Sequence, residues 1–318
     1  MTEFNPGGIT DTFDERDLPY EAFVGYADYV DLPDFYDVEA TYGPISQKNQ
    51  EQTLSCGGQA VSYYAELLNV IDEGFVEFSP RSIYAFTHLP DGGSITRDSI
   101  LRLVNSGIAP EDRFLSQPMT EGHMQDQTGW TADISKLALR YKGKIATTMT
   151  DRTNFDLFKT AIYQGHGVVS GVNLSSGGWY SSPIRPPKDG EKIVGHIMYF
   201  KGWGTDDHGD FIIAKDSYPS GDKKLYRDYF EASMVHSAWT VIDLPNEGET
   251  MEKYWPQANS IIVGLGGANN SPDATALAKA LRLGEQPTVN TILKKYQTTG
   301  SSNADIKLNE IDVIIHKP

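Results

Sequence analysis

Residues 49–68, NQEQTLSCGGQAVSYYAELL, decide how this chain is interpreted. The stretch contains Cys56, the only cysteine among 318 residues, which excludes an internal disulfide and a metal site built from cysteines alone. Beyond it, Val61, Ala65 and Leu68 recur at i, i+4 and i+7, which is typical of one face of a helix. The pattern therefore predicts a cysteine at the start of an amphipathic helix.

A thiol at that position has a specific chemical consequence. The helix dipole and the free N–H groups of the first turn stabilise a thiolate, which is the nucleophilic form of cysteine. Gly57 and Gly58 follow Cys56 and are expected to leave the approach to the sulfur open. A lone cysteine is also often a small buried hydrophobic residue. Residues elsewhere in the chain decide between these two interpretations.

Three polar residues supply what a cysteine nucleophile needs. An imidazole must hold the thiol proton, and an acceptor must orient the imidazole. His196 follows Gly195 and heads the β-type run HIMYFKGWG, and Asp216 ends the next such run, so neighbouring strands can bring the two together. Gln50 lies six residues before Cys56 and carries an amide that can stabilise a developing oxyanion.

The chain places predicted helices before predicted strands. Helices are expected after Cys56, from Pro80, and over SITRDSILRLVNSG, where Ser94 can cap the start and Gly107 the end. A further helix is expected over NFDLFKTAIYQGHG, ending at a glycine. The runs VVSGVNL, HIMYFKGWG, DFIIAKDS and AWTVIDL predict strands. This order is typical of an α+β fold with a helical lobe and a sheet lobe.

The order Gln, Cys, His, Asp resembles that of the papain-like cysteine peptidases, in the form of a bacterial or viral member without a long N-terminal prosegment. The resemblance covers residues 32–244 and rests on several motifs in the same order. They are DLPDFYDVEATYGPISQKNQEQTLSCGGQAV, FSPRSIYAF, GGSITRDSILRLVNSGIAPED and GHIMYFKGWG followed by FIIAKDSYPSGD.

The resemblance implies a two-lobe fold, peptide-bond hydrolysis without a cofactor or metal, and a role for each matching residue. Cys56 would be the nucleophile, His196 the general base and acid, and Gln50 the oxyanion-hole side chain. Asp216 stands where the family usually has Asn, and Tyr218 where an aromatic residue usually shields the histidine pair. The residues expected to contact substrate are Gly57, Gly58, Gly195 and Tyr218.

Other polar residues are given ordinary structural roles. His166, between a helix and a strand, is expected to be a loop residue, and His208 a solvated turn residue. The turn also contains Asp206, Asp207 and Asp210, but it lacks the glycine and terminal glutamate of an EF-hand. No metal site is therefore predicted there.

The resemblance and the composition divide the chain into three parts. Residues 1–31 are expected to form an irregular N-terminal arm, residues 32–245 the peptidase domain, and residues 246–318 a C-terminal extension of mixed helix and loop. Two amphipathic helices and a final strand are predicted in the extension, and the helices need a surface to pack on. The extension is therefore a candidate site for a protein partner or for self-association.

Charge and termini restrict location and partners. A formal net charge of −16 disfavours nucleic-acid binding, which needs clustered Lys and Arg. The N-terminus has no basic start followed by an apolar stretch, so no signal peptide is expected, and no segment is apolar enough to span a bilayer. We expect a protein of the cytoplasm or of a virus particle, with a peptide or protein substrate.

Two functions remain open at this point. The first is a cysteine endopeptidase. The second is a catalytically weak or silent papain-like scaffold with a structural or interaction role in a larger assembly, since one fold can host unrelated functions. The retained set of Gln50, Cys56 and His196 favours the enzyme, whereas the unusual C-terminal third favours the scaffold.

Overall fold

The computed structural model describes residues 7–242, except Phe13, residues 22–31, 176 and 177, Tyr180 and Ser220. These residues form two compact units. The first contains residues 7–12, 32–143 and 151–240, and the second contains residues 14–21, 144–150 and 241–242. The predicted C-terminal extension, residues 246–318, lies outside the described residues, so its helices and strand stay predictions.

The helices of the first unit occur mostly in its N-terminal half, as the sequence predicted. The longest is α2, which begins at Cys56, and the helix predicted at Pro80 begins one residue later. The helices are α1 (Val38–Tyr42), α2 (Cys56–Asp72), α3 (Arg81–Thr87), α4 (Thr96–Ser106), α5 (Glu121–Gln125), α6 (Ala132–Ala138), α7 (Phe155–Gly165) and α8 (Arg227–Glu231), with a 3-10 turn at Leu139–Tyr141.

Helix α2 is the core helix of this unit. Every residue from Cys56 to Leu68 is buried, and the helix packs on α3, α4 and the sheet. The two glycines of its first turn permit this packing. A Cβ on Gly57 would lie 2.2 Å from Ser94 Oγ, and one on Gly58 would lie 2.5 Å from the Pro80 carbonyl oxygen.

The strands confirm the α+β prediction. They are β1 (Gly8–Ile9), β2 (Tyr36–Asp37), β3 (Ser94–Ile95), β4 (Ile145–Thr148), β5 (Val168–Ser175), β6 (Ile193–Asp206), β7 (Gly209–Lys215), β8 (Lys223–Tyr226) and β9 (Val235–Ile242). In the first unit the sheet runs β9-β5-β6-β7-β8 with antiparallel neighbours, and β2 pairs with β6. Strand β6 is therefore central: β5 and β7 lie on either side of it within the sheet, and helix α2 packs against it.

The predicted N-cap of α4 is wrong. The helix begins at Thr96 and its N-cap is Ile95, without a side-chain capping hydrogen bond. Ser94 instead belongs to β3 and pairs with Gly8, because a strand from the N-terminal arm adds to this edge. The end of the helix is as predicted: Gly107 has a positive φ of 74° and its N–H donates to the Leu103 carbonyl.

The second unit is small in the described part of the chain. The Leu18 carbonyl accepts from the Thr148 N–H at 2.7 Å, and the Tyr20 N–H donates to the Thr148 carbonyl at 2.6 Å. Together these bonds tie residues 14–21 to β4. Across all the described ranges, no helix combines the length and the apolar character needed to cross a bilayer.

Candidate active site

Cys56 is the first residue of α2, as predicted. Ser55 is the N-cap, but its side chain does not cap the helix; its hydroxyl lies 2.7 Å from that of Thr53 and accepts from the Gln59 side chain. The positive end of the helix dipole therefore faces Cys56 without a compensating acceptor from the cap residue. The thiol is fully buried in this conformation.

Two strands bring His196 and Asp216 together. His196 lies near the start of β6 and pairs with Val172 of β5. Strand β7 ends at Lys215, opposite Tyr199 of β6, so Asp216 emerges beside the start of β6. The His196 Nε2 lies 2.9 Å from the Asp216 Oδ1, and both side chains are buried.

Cys56 acts on the His196 ring as well, and its side chain favours the protonated imidazole. Burial alone lowers the pKa of His196, but the Asp216 carboxylate at 2.9 Å and the effect of Cys56 outweigh burial and raise that pKa to about 10. The site therefore stabilises an imidazolium, the partner that a thiolate requires.

Gln50 is held in a buried loop that connects the two sides of the site. Its backbone N–H donates to the Ser217 carbonyl at 2.9 Å, and its side-chain oxygen accepts from the Ser217 hydroxyl at 2.5 Å. Its side-chain nitrogen donates to the Thr53 carbonyl at 2.7 Å. A primary amide has two N–H groups, so one such bond is compatible with a second donor role.

Glu66, which no sequence motif indicates, anchors this loop. Glu66 is buried in α2, accepts from the Ser46 N–H and hydroxyl, and lies 2.6 Å from the Lys48 Nζ. It also accepts from the Phe78 N–H. A buried carboxylate is retained only when it is paired in this way. Glu66 thus fixes the chain that leads to Gln50.

Aromatic side chains cover the histidine pair. The Tyr218 ring centroid lies 6.1 Å from that of His196, and Trp179 packs against Tyr218 with ring centroids 4.6 Å apart and ring planes tilted by 52°. Tyr218 was predicted, whereas Trp179 was not, because it comes from a distant loop of no regular pattern. The ammonium of the buried Lys223 lies 5.7 Å from the Trp179 ring centroid. This layer limits the access of water to the His196–Asp216 bond.

The predicted contact residues Gly57, Gly58 and Gly195 lie around the same centre. The first two are packed within the first turn of α2, next to Cys56. Gly195 precedes His196 in β6, and a Cβ there would lie 2.0 Å from the Gly8 carbonyl oxygen. Their contact with a substrate stays a prediction, and the structure adds Gly8 as a neighbour of the site.

Other histidines have different environments. His166 is the C-cap of α7 with a φ of 57°, and its carbonyl accepts from the Tyr199 hydroxyl, as expected for a loop residue. His208 is exposed in the β6–β7 turn. Burial lowers the pKa of His166, and burial together with the charge of Arg152 lowers the pKa of His236 to about 4. His166 and His236 therefore favour the neutral imidazole, whereas His196 favours the protonated one.

Comparison with known proteins gives structural matches only. No protein-family model and no curated protein sequence matches the chain. Xylellain, a cysteine protease from Xylella fastidiosa, matches 77% of this chain and 98% of its own with a TM-score of 0.61 and 18% identity. Procathepsin L2 from the larval midgut of Tenebrio molitor matches 76% of this chain and 79% of its own, with a TM-score of 0.60 and 15% identity.

A third match comes from a plant. The bromelain protease from Ananas comosus, solved in complex with the E64 inhibitor, matches 66% of this chain and 99% of its own. Its TM-score is 0.52 and its identity 16%. Identities this low show the fold alone, but the matched proteins agree with one another and with the predicted architecture. The chain therefore has the papain-like cysteine peptidase fold.

Proposed function

We propose that this protein is a cysteine peptidase that uses Cys56, His196 and Asp216, with Gln50 in the oxyanion hole. The observation that carries the proposal is a buried thiol at the start of a helix together with an imidazole that is bonded to a carboxylate. The His196 ring bonds Asp216 at 2.9 Å, and Cys56 contributes to the raised pKa of that ring. A nucleophile, a base and an orienting group in this relation are what acyl transfer through a thiol requires.

The reaction follows from these positions. The Cys56 thiolate attacks the carbonyl carbon of a peptide bond, and the oxyanion that forms accepts from the Cys56 N–H and the Gln50 amide. The C–N bond then breaks as His196 gives its proton to the leaving amine, which leaves a thioester on Cys56. Water attacks the thioester and transfers a proton to His196, and the carboxylic acid product leaves with regeneration of the thiolate.

The test compares wild-type protein with Cys56→Ala, His196→Ala and the matched control His208→Ala. His208 lies at the turn of the same β6–β7 hairpin but is exposed. We expect both site variants to lose several orders of magnitude in kcat/KM on a peptide library, and the control to stay within about twofold. Circular dichroism checks the fold of each variant. Substantial activity in Cys56→Ala would refute the nucleophile assignment.

The second candidate function is a silent scaffold. It is favoured by one observation, the complete burial of Cys56 in this conformation. A thiol-reactive epoxide separates the two functions. Rapid stoichiometric labelling of Cys56 that is lost in His196→Ala supports the peptidase, whereas slow labelling at the rate of an ordinary thiol, equal in His196→Ala and His208→Ala, supports the scaffold.

A further inference from the structure

Two side chains hold the backbone of the segment that follows β7. Tyr63 of α2 donates its hydroxyl to the Asp216 carbonyl at 3.1 Å, and the Gln47 Nε2 donates to the same carbonyl at 3.0 Å. The Gln47 nitrogen also lies 3.4 Å from the Tyr218 carbonyl oxygen. The backbone is therefore held twice at the residue whose side chain bonds His196. We call Tyr63 and Gln47 the carbonyl clamp.

The two residues of the carbonyl clamp are themselves fixed. The Lys48 N–H donates to the Tyr63 hydroxyl at 2.9 Å, and the Gln47 nitrogen donates to the Lys48 carbonyl at 3.0 Å. Tyr63 is fully buried, so solvent cannot replace these partners. Burial also raises the pKa of Tyr63 well above its ordinary value. The hydroxyl therefore keeps its proton and remains a donor throughout the pH range of an activity assay.

The carbonyl clamp joins the elements that supply the other site residues. Tyr63 lies seven residues after Cys56, about two turns along the same helix. Gln47 lies three residues before Gln50 in the same loop. The position of Asp216 is thus set by the helix that carries the thiol and by the loop that carries the oxyanion-hole amide.

The neighbouring tyrosine of α2 has a hydroxyl of a different kind. Tyr64 is also fully buried, and its hydroxyl donates to the Gly165 carbonyl and lies 2.9 Å from the Thr240 hydroxyl. Gly165 ends α7 and Thr240 belongs to β9, so these bonds tie α2 to elements that carry no candidate catalytic residue. Tyr63 and Tyr64 are therefore a matched pair, of which only Tyr63 bonds the segment that contains Asp216.

We propose that Tyr63 and Gln47 are positioning residues: by holding the Asp216 carbonyl they fix the Asp216 carboxylate against His196 and so stabilise the imidazolium. The catalytic meaning of this inference rests on the proposed peptidase function. An untethered Asp216 backbone would let the carboxylate move away from the ring, and the attraction between opposite charges falls with distance.

The charged and titratable groups around this arrangement stay in place when Tyr63 loses only its hydroxyl. Lys223 of β8 interacts with Asp216, and Cys56 and Tyr218 face His196. The charges near Tyr63 are those of Asp216, Glu66 and Glu39, together with the ammonium groups of Lys48 and Lys215 at 6.0 and 5.5 Å from its ring centroid. Tyr63→Phe keeps the ring on which these two ammonium groups pack.

The test uses the full chain with Tyr63→Phe, Gln47→Met and the control Tyr64→Phe. We expect both clamp variants to lower kcat by about tenfold with KM within about twofold, because misplacing a reacting group by about 1 Å can cost about 100-fold. The alkaline limb of kcat/KM and the pKa of His196, followed by NMR and assigned with His196→Ala, should both fall by about half a pH unit. Tyr64→Phe should leave kcat, the limb and that pKa unchanged.

The outcomes separate this inference from the proposed function. Wild-type kcat, limb and His196 pKa in both clamp variants of an enzyme that cleaves peptides would overturn the clamp and keep the peptidase. A His196 pKa lowered only in the clamp variants of a protein that cleaves nothing keeps the clamp and refutes the peptidase, and an unchanged pKa without cleavage overturns both. Equal changes in Tyr64→Phe would also overturn the clamp, because they would follow from the loss of any buried hydroxyl in α2. Should Tyr63→Phe fail to fold, Gln47→Met decides alone, since Gln47 is only partly buried.

Discussion

Replacing Asp216 with asparagine is expected to lower the pH at which His196 loses its proton. The buried carboxylate lies 2.9 Å from the ring and favours the imidazolium, whereas a neutral amide favours it less. The amide oxygen can still orient the ring, so the variant should keep substantial activity. The change should appear in the pH profile rather than in the maximum rate.

The structure sets the size of the effect. Against the opposing effect of burial, the hydrogen bond to Asp216 and the charges of Asp216 and Cys56 raise the pKa of His196 from 6.5 to about 10. Asp216 supplies part of that rise, so its replacement should move the alkaline limb of kcat/KM down by on the order of one pH unit. The partners that face His196 here are Cys56, Asp216, Tyr218 and, beyond Asp216, Lys223.

The assay is kcat/KM against pH from 5 to about 11, with Asp207→Asn as the matched control. Asp207 lies at the exposed turn of the same hairpin, so its amide should leave the profile unchanged. His236 and His166 do not interfere, because the pKa of each is lowered. An alkaline limb that stays in place in Asp216→Asn would show that the carboxylate does not stabilise the imidazolium, and an upward shift would show that the carboxyl is itself neutral.

Two further predictions concern the same charges. The folded pKa of His196 lies above its unfolded value, so the protonated histidine stabilises the fold fully below pH 6.5, and this stabilisation is lost as pH rises through about 10. The free energy of unfolding, measured with urea, should fall over this range, and it should fall less in Asp216→Asn. Lys223 is buried and interacts with Asp216, whereas its neighbour Lys224 pairs with Asp206 nearer the surface. Lys223→Met should therefore raise the alkaline limb by less than about one pH unit while Lys224→Met leaves it in place, and equal profiles would exclude a role for Lys223.

The sequence predicted the parts of the fold that depend on local pattern. The periodic apolar residues predicted α2, and glycines predicted the ends of α4 (at Gly107) and α7, because these signals act within one or two turns. The pair of His196 and Asp216 could be predicted because each ends or begins a strand of a simple antiparallel pair. In each of these cases the residues that decide the structure lie close to one another along the chain.

The errors and omissions all depend on distant contacts. Ser94 was expected to cap a helix, but its pairing with Gly8, far along the chain, makes it a strand residue instead. Trp179 and Glu66 have no pattern of their own, and only the folded chain brings them to Tyr218 and to the Gln50 loop. The N-terminal arm was expected to be irregular because it is acidic and rich in turn-forming residues, but Gly8 and Ile9 pair with β3 as a short strand. Tertiary contacts decide such positions.

The close contact between Gly8 and β6 makes the first described residues an integral part of the domain. A Cβ on Gly8 would lie 2.7–2.9 Å from backbone atoms of His196, and Gly8 also pairs with Ser94 of β3. Only glycine allows so close an approach. Removal of these residues would therefore expose the backbone of the strand that carries His196, so a chain shortened past Gly8 would be altered at the candidate site itself.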